Sequence, residues 1–167
     1  MGHLERPGRR RRRLPGPDGG QPPRRRCDRQ RGRGEDGLQE HADYIAAARR
    51  AADEAGVPFV INGRTDAVKL GTDVFSDPLA EAEARITLME DAGARSVYPV
   101  GVTTADQLTR LVQAVTIPVN ATAHPVKGHG AGDLAALKKL GVRRVSFGPL
   151  WQMWLSEVSA DRFAAWT

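Results

Sequence analysis

Pro58-Phe59-Val60-Ile61-Asn62-Gly63-Arg64-Thr65-Asp66 begins as an apolar run and ends in polar, ionisable side chains. Side chains on a strand point alternately to its two faces. Val60, Asn62, Arg64 and Asp66 therefore share one face, and Phe59, Ile61, Gly63 and Thr65 the other. The second face starts apolar and suits packing beneath a helix. The first passes from Val to Asn to Arg toward the C-terminal end of the strand. That end is where parallel α/β folds bind ligands, so an inward arginine there is a candidate for holding an anionic substrate. A pair with Asp66, or with another carboxylate at the rim, is the alternative use of the same charge.

Working outward, Leu38, Ala42, Ile45, Ala48, Ala52 and Ala55 recur at spacings of three and four, which predicts a helix. Arg49, Arg50, Asp53 and Glu54 fall on its outer face, and Gly56 is its stop. On the other side, Ala67 to Ser76 is expected to be a loop, long enough to favour a functional role. Asp77-Pro78 opens the next helix with an acid as cap and proline at the first position. It runs through Ile86 and Met89 to a stop at Gly93.

The unit then recurs. Arg95 to Val100 is an expected strand, and Thr104-Ala105-Asp106-Gln107 a capping box ahead of Leu108, Leu111, Val112 and Val115. Ile117 to Ala121 is the next strand, with Pro118 near its start. A Gly-rich loop, Lys127 to Gly132, leads to a helix over Asp133 to Leu140. Arg144 to Phe147 is the last strand. Gly148-Pro149 turns it into an apolar helix carrying Trp151, Met153, Trp154, Leu155, Phe163 and Trp166. Strands alternating with helices imply a parallel sheet. Four strand–helix units are half of an eight-stranded barrel. They also fit a small open sheet, though no strand is followed by the Gly-rich phosphate fingerprint of a dinucleotide fold.

The net charge of +5 over 167 residues is unevenly spread. Residues 1–34 hold twelve arginines against Glu5, Asp18 and Asp28, whereas the remainder holds thirteen basic and seventeen acidic groups. The later part thus has the balance of a mildly acidic enzyme, not of a nucleic-acid binder. Residues 1–34 contain no Ala, Ile, Val, Phe, Ser or Lys, and their only aliphatic side chains are Met1, Leu4 and Leu14. So little apolar surface does not offset the entropy of ordering, and a disordered segment is expected. Its arginine runs suit phosphate contacts, but no aromatic residue is interleaved for base stacking. Arg, Gly and Pro are residues of GC-rich codons, and an out-of-frame reading of a GC-rich gene accounts for such a composition. Cys27 is the one cysteine, which leaves no internal disulfide. With no apolar run of spanning length and no signal-type h-region, the expected setting is cytoplasmic, without membrane partners.

Phe59-Val60-Ile61-Asn62-Gly63-Arg64-Thr65-Asp66, with Glu35-Asp36-Gly37 before the preceding helix, resembles the isocitrate lyase/phosphoenolpyruvate mutase superfamily. Asp91-Ala92-Gly93-Ala94, Ile117-Pro118-Val119-Asn120 and Gly141-Val142-Arg143-Arg144-Val145-Ser146-Phe147-Gly148-Pro149 follow in the matching order. The resemblance covers about residues 35 to 167, and the family usually has Ala at the place of Gly63. It implies the C-terminal half, about strands 5–8, of a parallel (β/α)8 TIM-type barrel that follows the disordered segment 1–34. It also implies a lyase or phosphonomutase that makes or breaks a C–C or C–P bond in a small 2-oxo or hydroxy acid, with Mg²⁺, through an enolate-like intermediate.

On that resemblance Arg64 and Glu35 are the expected catalytic residues. Arg64, Asn62, Asn120 and Gly148 are the expected substrate contacts, and Glu35 lies at most in the outer shell of the metal. A planar guanidinium holds two oxygens at once where an enolate's charge develops, and a hard dication wants oxygen ligands. Glu35 equally suits a helix start, where the dipole favours an acid. The family's first three strands, with the acids that hold Mg²⁺, have no counterpart in this sequence, nor has its mobile catalytic loop. The chain alone is therefore expected to be inactive, and its open sheet edges to favour homo-oligomers or aggregation. His124 and His129 are expected to be surface histidines. Two other functions fit parts of the sequence: a phosphate-binding barrel enzyme using Gly148 and the last helix, and an Arg-tail nucleic-acid module. Nucleic acid is not the expected partner.

Overall fold

The computed structural model describes residues 37–164 and residue 166, within the unit Arg33–Thr167. Glu35, Cys27 and the expected disordered segment 1–34 lie outside the described residues. Helix α1 (Leu38–Glu54) leads into strand β1 (Asn62–Thr65), the short helix α2 (Ala67–Leu70) and helix α3 (Pro78–Asp91). Strand β2 (Ser96–Pro99), helix α4 (Ala105–Gln113), strand β3 (Asn120–Thr122), helix α5 (Leu134–Lys139), strand β4 (Arg144–Ser146) and helix α6 (Pro149–Ala164) complete the order.

All strand pairings are parallel. β1 pairs with β2 in the register Asn62 to Ser96 and Arg64 to Tyr98, and β3 with β4 in the register Asn120 to Arg144. A parallel bridge between Val97 and Val119 joins the two pairs, with the Val97 N–H donating to the Pro118 carbonyl at 3.0 Å. The strands therefore follow one another in space as in sequence. α3 packs against β1, β2, α1 and α4, which centres the apolar layer on it. Ile86, Met89, Val97, Leu108, Leu111, Val119 and Leu137 are almost fully buried there.

Local chemistry sets the helix limits. The Asp77 carboxylate accepts from the Leu79 and Ala80 N–H groups, with Pro78 at the first helical position. Thr104 and Gln107 form a reciprocal capping box on α4. Thr104→Ala is expected to cost about 1 kcal/mol, measured as a lower urea midpoint at unchanged slope. α1, α3 and α5 stop at Gly56, Gly93 and Gly141, whose φ angles of 64°, 98° and 93° L-residues rarely adopt.

Three expectations need correction. The strand begins at Asn62, not Pro58, and Phe59 and Val60 are exposed. The stretch from Ala67 is not a plain loop but α2 and a 3₁₀ turn, Gly71–Asp73. Arg49, assigned to the outer face of α1, instead donates to the Phe59 carbonyl at 2.7 Å and lies against Gly93. No helix of the described residues is long and apolar enough to cross a membrane.

Candidate functional site

Helix α3 decides which way β1 presents its side chains. A Cβ on Gly63 would stand 2.6 Å from the Met89 sulfur, and Thr65 is buried, so Gly63 and Thr65 face the helix layer. Asn62 and Arg64 consequently face the opposite side. Arg64 pairs across the strands with Tyr98, its guanidinium carbon 5.8 Å from the ring centroid. The Tyr98 hydroxyl in turn bonds the Thr122 hydroxyl of β3. A cavity of about 350 Å³ opens here, lined by Arg64, Lys69, Tyr98, Asn120, Thr122 and His129, with Pro149 at the start of α6. These residues place it at the C-terminal ends of the strands.

Arg64 serves both of the uses its charge allows. Its Nε and Nη2 donate to the two Asp66 carboxylate oxygens at 2.9 and 3.1 Å, a two-point clamp. The hydrogen bond to Asp66 is the main cause that raises the Arg64 pKa above its ordinary value, opposed by partial desolvation. Arg64 is therefore a permanent cation, with the Nη1 edge left without a partner among the described residues. Asn120 is 2% exposed, and its Oδ1 has no hydrogen-bond partner among the described residues. A buried acceptor left unmet costs about 1–3 kcal/mol, a tension more typical of sites than of plain cores.

Two of the expected substrate contacts lie elsewhere. Asn62 does not line the cavity, because its Oδ1 accepts from the Ser96 hydroxyl on β2. Gly148 is also absent from the lining, though Pro149 and Leu150 belong to it. Lys69, Tyr98, Thr122 and His129 were not foreseen as site residues. Alternation along β2 puts Ser96 and Tyr98 on one face and would have found Tyr98. The same alternation along β3 puts Thr122 on the face of Asn120 and would have found it, whereas nothing local marks Lys69 or His129.

A family model described as phosphoenolpyruvate phosphomutase matches residues 26–164. The chain belongs to the phosphoenolpyruvate mutase family. It is an enzyme family of mutase and lyase type. The chain is similar to the crystal structure of a candidate phosphonomutase from Burkholderia cenocepacia J2315, with 32% identity and a TM-score of 0.64, over 78% of this chain and 52% of that one. A candidate lyase/mutase from the same organism matches at 32% identity and TM-score 0.62, over 77% of this chain and 43% of that one. A 2,3-dimethylmalate lyase of the phosphoenolpyruvate mutase/isocitrate lyase superfamily shares the fold, at 24% identity and TM-score 0.62, over 77% of this chain and 43% of that one. The chain thus spans about half the length of these structures. No curated protein matches it.

Members of the phosphoenolpyruvate mutase family are expected to use Mg²⁺, and the described residues do not fit it. Among them no three His, Cys, Asp or Glu side chains converge. The charged side chains lining the cavity are basic, and the adjacent Asp66 carboxylate is already engaged by Arg64. Glu35 lies outside the described residues.

Proposed function

We propose that this chain supplies the C-terminal half, strands five to eight, of a phosphoenolpyruvate mutase/isocitrate lyase-type barrel, and that its cavity binds a small 2-oxo or hydroxy acid. The observation that carries this reading is the convergence of a clamped, permanently charged Arg64 and an unpaired buried Asn120 on one cavity at the strand ends. Four parallel strands in sequential spatial order, at half the length of the matched structures, support the half-barrel.

In this reading Asp66 orients the guanidinium, and the Nη1 edge meets the acid's carboxylate or the oxyanion of an enolate-like species. Tyr98 backs the guanidinium with its ring, and Asn120 fixes the rest of the ligand. The family chemistry would be cleavage or formation of a C–C or C–P bond. The ligands of Mg²⁺ would have to come from outside the described residues. A cytoplasmic setting belongs to the same proposal.

β1 and β4 each leave one edge unpaired among the described residues, and Phe59, Val60, Leu134, Trp151 and Met153 are exposed. Such edges invite self-association. The purified chain is expected to form oligomers in sedimentation and to bind acids, yet to release no pyruvate or glyoxylate from a panel of oxyacids with or without Mg²⁺. Turnover at the rate of a complete family enzyme, abolished by Arg64→Ala, would refute the half-barrel reading. Binding of no acid at all would refute the assignment of the cavity.

A further inference from the structure

Three side chains on three neighbouring strands meet in series beside the cavity. Arg64 on β1 stands opposite Tyr98 on β2, and the Tyr98 hydroxyl shares a hydrogen bond with the Thr122 hydroxyl on β3. The bridge between Val97 and Val119 brings Tyr98 level with Asn120, so the tyrosine leans two residues along β3 to reach Thr122. Thr122 is a stiff partner for it. A branched Cβ restricts rotation about χ1. One branch meets Tyr98, and the other, the methyl Cγ2, lies 4.0 Å from where a Cβ on Gly148 would stand.

Arg64 needs support of this kind. Its side chain is 54% exposed, and a long exposed side chain keeps much of its rotamer freedom. Asp66 clamps the Nε and Nη2 donors, but the Asp66 carboxylate does not cap α2 and has no second partner among the described residues. The clamp fixes the guanidinium relative to Asp66 and leaves the pair hinged at the end of β1. The Tyr98 ring, 5.8 Å from the guanidinium carbon, is the contact that comes from another strand. The backbone around it is already held. A Cβ on Gly101 would stand 2.7 Å from the Lys69 backbone, and one on Gly130 would stand 2.1 Å from the Thr103 carbonyl oxygen, so the connections after β1, β2 and β3 are wedged together. What stays adjustable at the cavity is its side chains, the guanidinium among them.

We propose that Thr122 and Tyr98 are positioning residues for the acid site: Thr122 holds the tyrosine ring, and the ring holds the Arg64 guanidinium in the lining of the cavity. The inference rests on the reading of the cavity as an acid site and deepens it. A guanidinium that is already held loses less conformational freedom when an anion binds. Thr122, two strands away, thereby governs part of the affinity that Arg64 supplies.

Four substitutions take the series apart. Thr122→Val keeps the branched shape and removes the hydroxyl, whereas Thr122→Ser keeps the hydroxyl. Tyr98→Phe keeps the ring without its bond, and Tyr98→Leu removes the ring. Calorimetric titration of the whole chain with oxalate reads the effect on binding. Thr122→Val and Tyr98→Phe should each weaken it by about two- to fivefold, the contribution of an exposed cation–π contact. Thr122→Ser should bind like the unmodified chain. Both losses pass through one hydrogen bond, so Thr122→Val added to Tyr98→Phe should cause no further loss. The chain without ligand gives a second readout. The Arg64 side-chain ¹H–¹⁵N resonance should move in Tyr98→Leu and in the same direction in Thr122→Val. Unchanged oxalate affinity in Thr122→Val, or an Arg64 resonance indifferent to it, would overturn the proposal. So would losses that multiply in the double variant, which would set Thr122 against the ligand itself. Each of these results leaves the acid site intact. Failure of the unmodified chain to bind oxalate would instead overturn the reading of the cavity, whatever the resonance does.

Discussion

Arg64→Ala is expected to weaken oxyacid binding by about 10- to 100-fold, because a hydrogen bond to a charged group contributes about 1.5–3 kcal/mol. Isothermal titration with oxalate measures it. The loss should appear in affinity and not in stability. The Arg64–Asp66 pair has side-chain exposures of 54% and 38%, and exposed pairs of this kind stabilise a fold by about 0–1 kcal/mol. Arg64→Lys should recover only part of the affinity, since an ammonium is a point charge and not a planar fork. Asp66→Asn should have a smaller effect, about threefold to tenfold, because it loosens the guanidinium without removing it. Unchanged oxalate affinity in folded Arg64→Ala would remove Arg64 from the site.

Ile86→Ala should be the most damaging of the core truncations. Ile86 is fully buried on α3, the helix that touches β1, β2, α1 and α4 at once. Deleting three of its carbons forfeits transfer free energy and leaves a cavity that neighbours on several sides cannot all close. The expected cost is about 2–5 kcal/mol, against a total of about 5–15 kcal/mol for an ordinary domain. Urea unfolding followed by far-UV circular dichroism gives the number. Phe59→Ser, at a side chain about half exposed, provides the contrast, with an expected change within about 0.5 kcal/mol. A cost below 1 kcal/mol for Ile86→Ala would mean that α3 is not the centre of the packing.

The features legible in the sequence are those fixed within a few residues. Asp77-Pro78, the Thr104–Gln107 box and the glycine stops act on their own helices, and each stands where local chemistry puts it. Alternation along β1 likewise places Ile61, Gly63 and Thr65 toward the helices and Arg64 away from them. The start of β1 is different in kind. Pro58 to Val60 have strand-like composition, but a ladder lasts only as long as its partner, and β2 begins at Ser96, opposite Asn62. α2 escaped notice because Ala67, Val68 and Phe75 are drawn in by the core as a whole and not by a periodic stripe. Most of the candidate site was illegible for a similar reason. His129, on a loop, and Lys69, on the short helix α2, reach one cavity where the connections after successive strands press together at Gly130 and Gly101, and such a contact leaves no trace in the spacing of either.

The contact between Gly63 and Met89 bears on how such a sequence changes over generations. The family resemblance implies Ala at the first of these positions, and here the Met89 sulfur lies where its methyl group would stand. Strand and helix share one small volume, which either residue can fill but not both. Gly63→Ala alone should therefore destabilise the chain, although it restores the family's usual residue. After Met89 is shortened to Val the same substitution should become neutral or favourable, with a coupling of about 0.5–3 kcal/mol in a double-mutant cycle. The order of the two steps then matters: alanine at position 63 is best accepted once position 89 has become smaller.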